Sequence, residues 1–332
     1  MISMKLLFIG GSGIISSACS ALAVERGLDL YLLNRGRTAR RPIPTGAKVL
    51  TGDIRDPSVA EVLGDHTFDV VVDWIAYTPD HIATDLALFR GRVGQYIFIS
   101  SASAYQKPPT VLPITEETPL DNPFWDYSRD KIACENALME AYRQEGFPVT
   151  IVRPSHTYDR TLLPFHGGYT CLDRMLKGKP ILIHGDGTSL WTLTHHRDFA
   201  RAFLGLFGEP RAIGEAYHIT SDEWLSWNEI ARLLGEAAGV EPNIVHVPSD
   251  TVAAHDPHWG ASLLGDKSHC AIFDNSKIRG IVPGFKAEIP FAEGAREIVG
   301  WYAANLAEQR PDAAFDAILD RIIAAQLSAQ TR

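Results

Sequence analysis

The stretch that decides the fold is Leu6-Leu7-Phe8-Ile9-Gly10-Gly11-Ser12-Gly13-Ile14-Ile15, near the start of the 332-residue chain. Its first four residues form an apolar run bounded by glycine, which is typical of a buried parallel strand. Residues 14–26 have helical spacing and end at Gly27. A glycine loop between a strand and a helix lets the backbone approach a pyrophosphate at the helix N-terminus. The pattern predicts a dinucleotide site at Gly10, Gly11, Ser12, Gly13, Ile14 and Ile15, the alternative being an ordinary strand-to-helix turn.

Strand-like and helix-like segments alternate through the first half of the chain. The predicted strands after the first are 28–33, 48–50, 69–72, 96–99 and 149–152, and the predicted helices after the first are 57–63, 80–90 and 126–145. This alternation predicts βαβ units. The expected fold class is α/β, with a Rossmann-type doubly wound parallel sheet.

The pattern changes after Pro154, where short strands and helices are mixed with proline-rich stretches. We predict a dinucleotide-binding Rossmann domain over 1–155. Residues 156–332 are expected to form mainly a smaller C-terminal α/β substrate-binding cap, with some segments returning to the first domain. Trp224 and Trp227 are assigned to the core of the cap.

The composition excludes several classes of protein. With 45% hydrophobic and 21% charged residues, the chain is neither disordered nor low-complexity. A net charge of −9 disfavours binding to nucleic acid or to anionic membranes. The four cysteines lie far apart, and neither they nor the histidines show metal-ligand spacing, so no metal site is expected. No apolar run approaches the ~18 residues of a membrane span. We expect a cytoplasmic protein with reduced thiols.

Arginines follow the second predicted strand, where an acidic residue normally accepts the ribose 2′-hydroxyl of NAD. Asn34 stands there instead, and Arg35, Arg37, Arg40 and Arg41 follow. Guanidinium groups pair well with a 2′-phosphate, so NADP is expected to bind at least as well as NAD. A solvated basic loop is the alternative. Asp53 and its neighbour Ile54 follow the third strand, and Asp53 is assigned to the adenine amino group.

Tyr127 and Lys131 are four residues apart on one face of the long predicted helix. Ser101 and Tyr105 follow the preceding strand, at the sheet edge where ligands of doubly wound folds bind. A phenol is a poor base at neutral pH, but a nearby lysine cation and an oxidised nicotinamide favour the phenolate and should lower its pKa. The alternative is an ordinary surface pair.

These motifs, with Gly52-Asp53 and Arg153-Pro154, make the sequence resemble the extended (atypical) short-chain dehydrogenase/reductase family of NAD-dependent epimerases and dehydratases. The resemblance implies that Ser101, Tyr127 and Lys131 are catalytic, with Tyr127 the acid/base. It also implies that Tyr127 and Lys131 contact the cofactor, NADP or NAD. A homodimer through 80–90 and 126–145 is a further expectation from the family.

Three departures from the family pattern bear on the substrate. Ala102 and Ser103 stand where dehydratases carry Asp-Glu, which argues against water elimination. Trp191 stands where many nucleotide-sugar enzymes hold a diphosphate with arginine, with Arg160 or Arg197 as candidate replacements. Asp159 replaces the usual glycine after Tyr158, with His156 nearby. The residues assigned to the substrate are Ser101, Ser103, Tyr127, His156, Tyr158 and Trp191.

The expected function is NAD(P)-dependent hydride transfer at a secondary alcohol or ketone of a small sugar-like substrate. Epimerisation is the first interpretation, and a simple NADP-dependent ketone reductase or a sugar dehydrogenase is the second. A nucleotide-sugar 4-epimerase and a non-catalytic nucleotide- or RNA-binding protein are the remaining alternatives. No nucleic-acid or membrane partner is expected.

Overall fold

A seven-stranded parallel sheet lies at the centre of the molecule. The computed structural model describes residues 3–36 and 41–330. The strands, in chain order, are β1 (Lys5–Ile9), β2 (Asp29–Asn34), β3 (Lys48–Thr51), β4 (Phe68–Asp73), β5 (Val93–Ile99), β6 (Val149–Pro154), β7 (His156–Tyr158), β8 (Ile181–His184), β9 (Leu190–Trp191), β10 (Leu193–His195), β11 (Ala216–Ile219), β12 (Leu225–Ser226) and β13 (Ile244–Val247). The central sheet has the order β11-β6-β5-β4-β1-β2-β3, with every neighbouring pair parallel.

Helices cover both faces of this sheet and build the second half of the chain. They are α1 (Ile14–Glu25), α2 (Val59–Leu63), α3 (Pro79–Phe89), α4 (Asp126–Glu145), α5 (Tyr169–Leu176), α6 (His196–Phe203), α7 (Trp227–Ala238), α8 (Ser249–His255), α9 (Pro257–Ser262), α10 (Ser276–Ile281), α11 (Phe291–Ala304) and α12 (Ala313–Gln330). The bounds of α4 match the predicted 126–145, because its apolar spacing and the glycine after it mark both ends.

Strand β1 shows why the fold is doubly wound. Successive side chains of a strand point to opposite faces. Leu6 and Phe8 accordingly join the core shared with α1 and α6, whereas Leu7 and Ile9 join the core shared with α3 and α4. All four are fully buried, and each such side chain contributes about 1.5–3 kcal/mol. The predicted α/β class with a doubly wound parallel sheet is confirmed.

The second half of the chain forms its own core beside the sheet. The pairs β7–β10, β9–β12 and β8–β13 pack with α5, α7 and α11. Trp227 is buried there as predicted, but Trp224 is 50% exposed and its assignment to the core is wrong. It lies in a loop, where no periodicity indicates a buried side. Strand β11 and helices α6 and α10 return to the sheet. The division near residue 155 stays an interpretation.

The carboxyl ends of the central strands meet at one edge, where β1 leads to Gly10, β5 to Ser100 and β6 to Ser155. Ligands of open α/β sheets bind at this edge. Within 3–36 and 41–330 no helix combines the length and apolar character needed to cross a membrane.

Candidate active site

The turn after β1 requires glycine at two positions. Gly10 has a φ of +87°, which side chains rarely adopt, and a Cβ there would lie 2.6 Å from Ile75 Cγ2. A Cβ on Gly11 would lie 2.5 Å from Leu32 Cδ2. Because glycine has no Cβ, the turn can lie this close to Ile75 and Leu32. The backbone rather than a side chain therefore faces the groove above it.

Ser16 replaces the third glycine of the usual pattern and ties the turn together. Its hydroxyl accepts a hydrogen bond from Gly13 N (2.7 Å) and donates one to Gly10 O (3.0 Å). The first turn of α1 holds no acidic residue that would repel an anion. Gly10, Gly13, Ile14 and Ile15 line a groove of about 380 Å³. This cradle fits the pyrophosphate of a dinucleotide.

Some residues predicted to bind the adenosine part of the cofactor already have partners within the protein. Asn34 ends β2, and the exposed Arg35 guanidinium lies 3.9 Å from the carboxylate of Asp53. Asp53 Oδ1 also accepts a hydrogen bond from Arg55 N (3.0 Å). Ile54 is buried in the core of the sheet, so a cofactor contact there would involve its backbone. The assignments of Asn34, Arg35, Asp53 and Ile54 stay predictions.

One arginine of the cluster that follows the second strand is paired with an acidic side chain. Arg41 makes two hydrogen bonds to Asp159 (2.5 and 3.2 Å) and another to Thr161. Asp159 is buried and the Arg41 side chain is only 14% exposed, so Arg41 is already paired in this structure. That the other arginines of the cluster bind a 2′-phosphate stays a prediction. Arg37 and Arg40 lie outside the described residues.

Ser101, Tyr127 and Lys131 converge where α4 passes the ends of β4 and β5. The Lys131 ammonium donates hydrogen bonds to Ala76 O (2.7 Å) and Ile99 O (2.8 Å), and it lies 5.9 Å from the centre of the Tyr127 ring. Those bonds use two of its three N–H groups. The Ser101 side chain lies near the Tyr127 hydroxyl and acts to lower the pKa of Tyr127. All three side chains line the same groove as the glycine turn.

A buried ion pair holds α4 against β6. Arg153 binds both carboxylate oxygens of Glu135 (2.6 Å from Nη2 to Oε2 and 3.0 Å from Nε to Oε1). Ser100 donates a further hydrogen bond to Glu135 (2.5 Å). Glu135 follows Lys131 by one helical turn, so the ion pair sets the position of the helix face that carries Tyr127 and Lys131.

Burial controls the charge states of Tyr127 and Lys131. Burial raises the pKa of Tyr127 to about 12, and the Ser101 side chain opposes this rise only in part. Burial also lowers the pKa of Lys131 to about 8. The lowering of the Tyr127 pKa that the sequence predicts is therefore not found in the protein without a bound nicotinamide. The Lys131 ammonium is directed at two carbonyl oxygens, and desolvation of the phenolate is the largest cause of the shift in the Tyr127 pKa.

Ser103 belongs to the hydroxyl network behind this site. Ser101 and Ser103 Oγ lie 2.9 Å apart, and Ser128 donates to Ser103 Oγ (2.8 Å). Asn122 Nδ2 binds the carbonyl of Ser103 (2.9 Å). Residues Ala102–Ala104 form a single 3₁₀ turn, and Ser101 Oγ caps its start by accepting a hydrogen bond from Ser103 N (3.2 Å). The network thus fixes the orientation of the Ser101 hydroxyl.

A second cavity of about 300 Å³, the catalytic cavity, opens beside the groove. Ser101, Ser103, Tyr127, His156 and Trp191 all line it. These are five of the six residues assigned to the substrate, and their role in binding stays a prediction. Trp191 Nε1 donates to His156 Nδ1 (3.4 Å), and burial lowers the pKa of His156 to about 3, so this imidazole is neutral.

Tyr158 is not brought to this cavity. Its ring is buried between His195 (5.3 Å between ring centres) and Phe291 (5.5 Å). A strand advances about 3.3 Å per residue, so Tyr158 lies well beyond His156 along β7. Its position is in the core of the second half, and it does not line the catalytic cavity.

Sequence reasoning missed the charged wall of the catalytic cavity. Asp266 and Lys267 come from a π-helical turn, 263–267, and line the cavity together with Trp125 and Phe273. The Lys267 ammonium lies 5.4 Å from the Trp125 ring centre, 5.8 Å from that of Trp191 and 3.9 Å from Asp266 Oδ2. Trp125, two residues before Tyr127, could have been found by its place at the helix start. Asp266 and Lys267 carry no such signal.

Neither proposed replacement for the diphosphate-binding arginine lines the catalytic cavity. Arg160 is exposed, and Arg197 forms an ion pair with Glu297. Among the described residues, no group of three or more His, Cys, Asp or Glu side chains is arranged to hold a metal ion.

Comparison with known proteins identifies the family. A model of the NAD dependent epimerase/dehydratase family matches residues 6–220. A chloroplast stem-loop binding protein of 41 kDa from Arabidopsis thaliana is 28% identical over 73% of this chain, and the match spans only 65% of that protein. The 2′-dehydrokanamycin reductase of Streptomyces kanamyceticus is 25% identical over 86% of this chain and 80% of its own length.

The fold is shared with an epimerase from Methanothermobacter thermautotrophicus, which has a TM-score of 0.77 and 18% identity over 93% of this chain and 94% of its own. The family match agrees with two features of the structure. These are the glycine turn and the arrangement of Ser101, Tyr127 and Lys131. The chain belongs to the NAD-dependent epimerase/dehydratase family of short-chain dehydrogenase/reductase enzymes.

Proposed function

We propose that this protein transfers a hydride between NAD(P) and a secondary alcohol or ketone of a sugar-like substrate that carries no nucleotide diphosphate. One observation supports this most directly: the groove beside the glycine turn and the catalytic cavity share Ser101, Tyr127 and His156. A carbon atom at that junction would face both the cofactor and the acid/base.

The chain's own residues account for the proton transfer. The Tyr127 hydroxyl donates its proton to the substrate oxygen during reduction and takes it back during oxidation. Ser101 donates a hydrogen bond to the same oxygen and so stabilises its developing charge. Lys131 favours the phenolate through its positive charge, and its remaining N–H can bind a ribose hydroxyl. A bound nicotinamide supplies or accepts the hydride.

Reduction or dehydrogenation fits the catalytic cavity better than epimerisation. In epimerisation the ketone must turn over between two hydride transfers while another part of the substrate stays anchored. The charged groups that line the cavity are Asp266 and Lys267, 3.9 Å apart, and Asp266 also lies 3.3 Å from the buried Lys107. No arginine is among the described lining residues, so the cavity offers no bidentate guanidinium to anchor a diphosphate. The reductase from Streptomyces kanamyceticus, which aligns over most of both chains, supports the same interpretation.

We expect free sugars, glycosides or aminoglycoside ketones to change NAD(P)H absorbance, and UDP and dTDP to bind no more tightly than about 1 mM. A net absorbance change marks a reductase or dehydrogenase, since an epimerase returns its hydride. Trp191→Phe should weaken the binding of the sugar-like substrate and leave the binding of UDP unchanged. Isothermal titration with UDP and dTDP makes the comparison.

Tight UDP binding that is abolished in Arg160→Ala, Arg197→Ala or Lys267→Gln, but kept in Trp191→Phe, would overturn the choice of substrate. Each of these variants removes one cation that could bind the diphosphate. If UDP binds in this way, the activity would be hydride transfer on a nucleotide sugar.

The cofactor preference rests on Arg35, which is 60% exposed beside Asp53. We expect NADPH to bind at least as tightly as NADH, and Arg35→Ala to weaken NADPH about tenfold because one charge-assisted pair with the 2′-phosphate is lost. Fluorescence titration of both cofactors measures the effect. Arg26→Ala, an exposed arginine after α1, is the matched control. NADH binding tenfold tighter than NADPH, and unchanged in Arg35→Ala, would contradict the preference.

Stem-loop binding, suggested by the name of the Arabidopsis relative, is the competing function. The net charge of −9 opposes contact with a phosphate backbone. The complete set of Ser101, Tyr127 and Lys131 at a shared cavity edge supports an enzyme instead.

A further inference from the structure

A third cavity, here called the second chamber, lies next to the catalytic cavity. It has a volume of about 290 Å³ and shares Trp125, His156 and Lys267 with the catalytic cavity. A substrate whose reacting carbon lies at Tyr127 can therefore extend past Lys267 into the chamber. Any group bound there is part of the substrate that does not react.

The walls of the second chamber are predominantly apolar. They include the buried side chains of Leu163, Phe165, Leu182, Trp227, Trp259 and Leu263. His184 Nε2 donates a hydrogen bond to the carbonyl oxygen of Lys267 (2.9 Å), and burial lowers the pKa of His184 to about 4, so its imidazole is neutral. The positive charge of Lys267 lies at the mouth, beside Asp266.

Flat aromatic surfaces give the chamber its shape. The His166 ring stacks on Trp259 with ring centres 4.9 Å apart and planes 11° apart. Trp227 packs at angles against Phe165 (6.0 Å) and His184 (4.9 Å). Aromatic rings prefer offset-stacked or edge-to-face neighbours, which such walls provide. A planar apolar group matches both the shape and the polarity of the space.

We infer that the second chamber binds an aromatic aglycone, so that the preferred substrates are aryl glycosides or polyols joined to an aromatic ring. This inference rests on the proposed function for the reacting end of the molecule. A nucleobase is the competing planar group. It would bring a diphosphate to the mouth of the chamber, where the described lining holds one lysine, Lys267, and no arginine. The Asp266 carboxylate lies beside it, 3.9 Å from Lys267 and 3.3 Å from the buried Lys107, and would repel the phosphates.

Binding of 2-naphthol tests the chamber without cofactor or turnover. Isothermal titration should show one site, and Leu162→Trp should raise the Kd at least tenfold, because half-buried Leu162 lines the chamber from a loop that can accept a larger side chain. Leu176→Trp, at the exposed end of α5, is the matched control and should leave the Kd unchanged. Cys171→Phe fills the chamber from another wall if Leu162→Trp does not fold.

The turnover readout compares aryl with methyl glycosides. The ratio of their kcat/KM values should fall about tenfold in Leu162→Trp, with the methyl glycoside unaffected. Equal naphthol binding in Leu162→Trp and Leu176→Trp, or displacement of naphthol by UDP, would overturn the inference. Naphthol binding without turnover of any glycoside would instead overturn the proposed function and leave an aromatic site.

Discussion

Tyr127→Phe should lower turnover by about 10²-fold or more while cofactor binding is largely kept. The substitution removes the transferable proton but keeps the ring, which packs against Trp125 (4.9 Å between ring centres) and Tyr77 (6.4 Å). The hydroxyl is the only group lost from the junction between groove and cavity. Steady-state kinetics and a cofactor titration together separate the chemical step from binding.

Tyr31→Phe is the matched control, since the Tyr31 hydroxyl on β2 accepts a hydrogen bond from Lys48 on β3, and β2 lies three strands away from β5 in the sheet. Turnover in that variant should equal that of the unmodified protein. Near-normal rates in Tyr127→Phe would mean that another residue acts as acid/base, and the shared-cavity argument would lose its main support.

Lys131→Met should lower turnover by a similar factor and also weaken dinucleotide binding about tenfold. The variant keeps an unbranched side chain but leaves the carbonyls of Ala76 and Ile99 without the ammonium that binds them. It also removes the charge that favours the tyrosine anion. A thermal melt should accompany the kinetics, because unpaired buried carbonyls destabilise the fold.

The pH dependence of cofactor binding gives Lys131 a separate signature. Its pKa is lowered to about 8, so the free protein carries the charge below that pH and loses it above. We expect dinucleotide affinity to decline as the pH rises through about 8, and this decline to be absent in Lys131→Met. Unchanged affinity and turnover in the variant would show that the ammonium serves only the fold.

Most elements before residue 155 could be predicted because they bury an apolar run or face, although β3 at the edge of the sheet is largely exposed. Leu6 to Ile9 alternate between the two sheet cores, and α4 keeps its period for twenty residues. Ser101 and Tyr127 follow from the same logic, since strand ends and one helix face meet at the edge of a parallel sheet.

The rest depends on tertiary contacts that no local pattern records. Lys267 is placed because its carbonyl accepts hydrogen bonds from Ser189 Oγ (3.1 Å) and Trp227 Nε1 (3.2 Å), each dozens of residues away. Arg41 is one of the arginines after the second strand, and no local pattern records its ion pair with Asp159 in the other half of the chain. The charge state of Tyr127 depends on burial, which one sequence does not quantify.

The π-helical turn at 263–267 has a consequence for how this site could diversify. A π turn contains one residue more than an α-helical turn, and such turns occur often at functional sites. Loss of one codon there would restore regular helix and rotate the following residue by about 100°, given 3.6 residues per turn. The ammonium of Lys267 would then leave the wall between Trp125 and Trp191. A single in-frame deletion could thus change substrate range while Tyr127 and the cofactor groove stay intact.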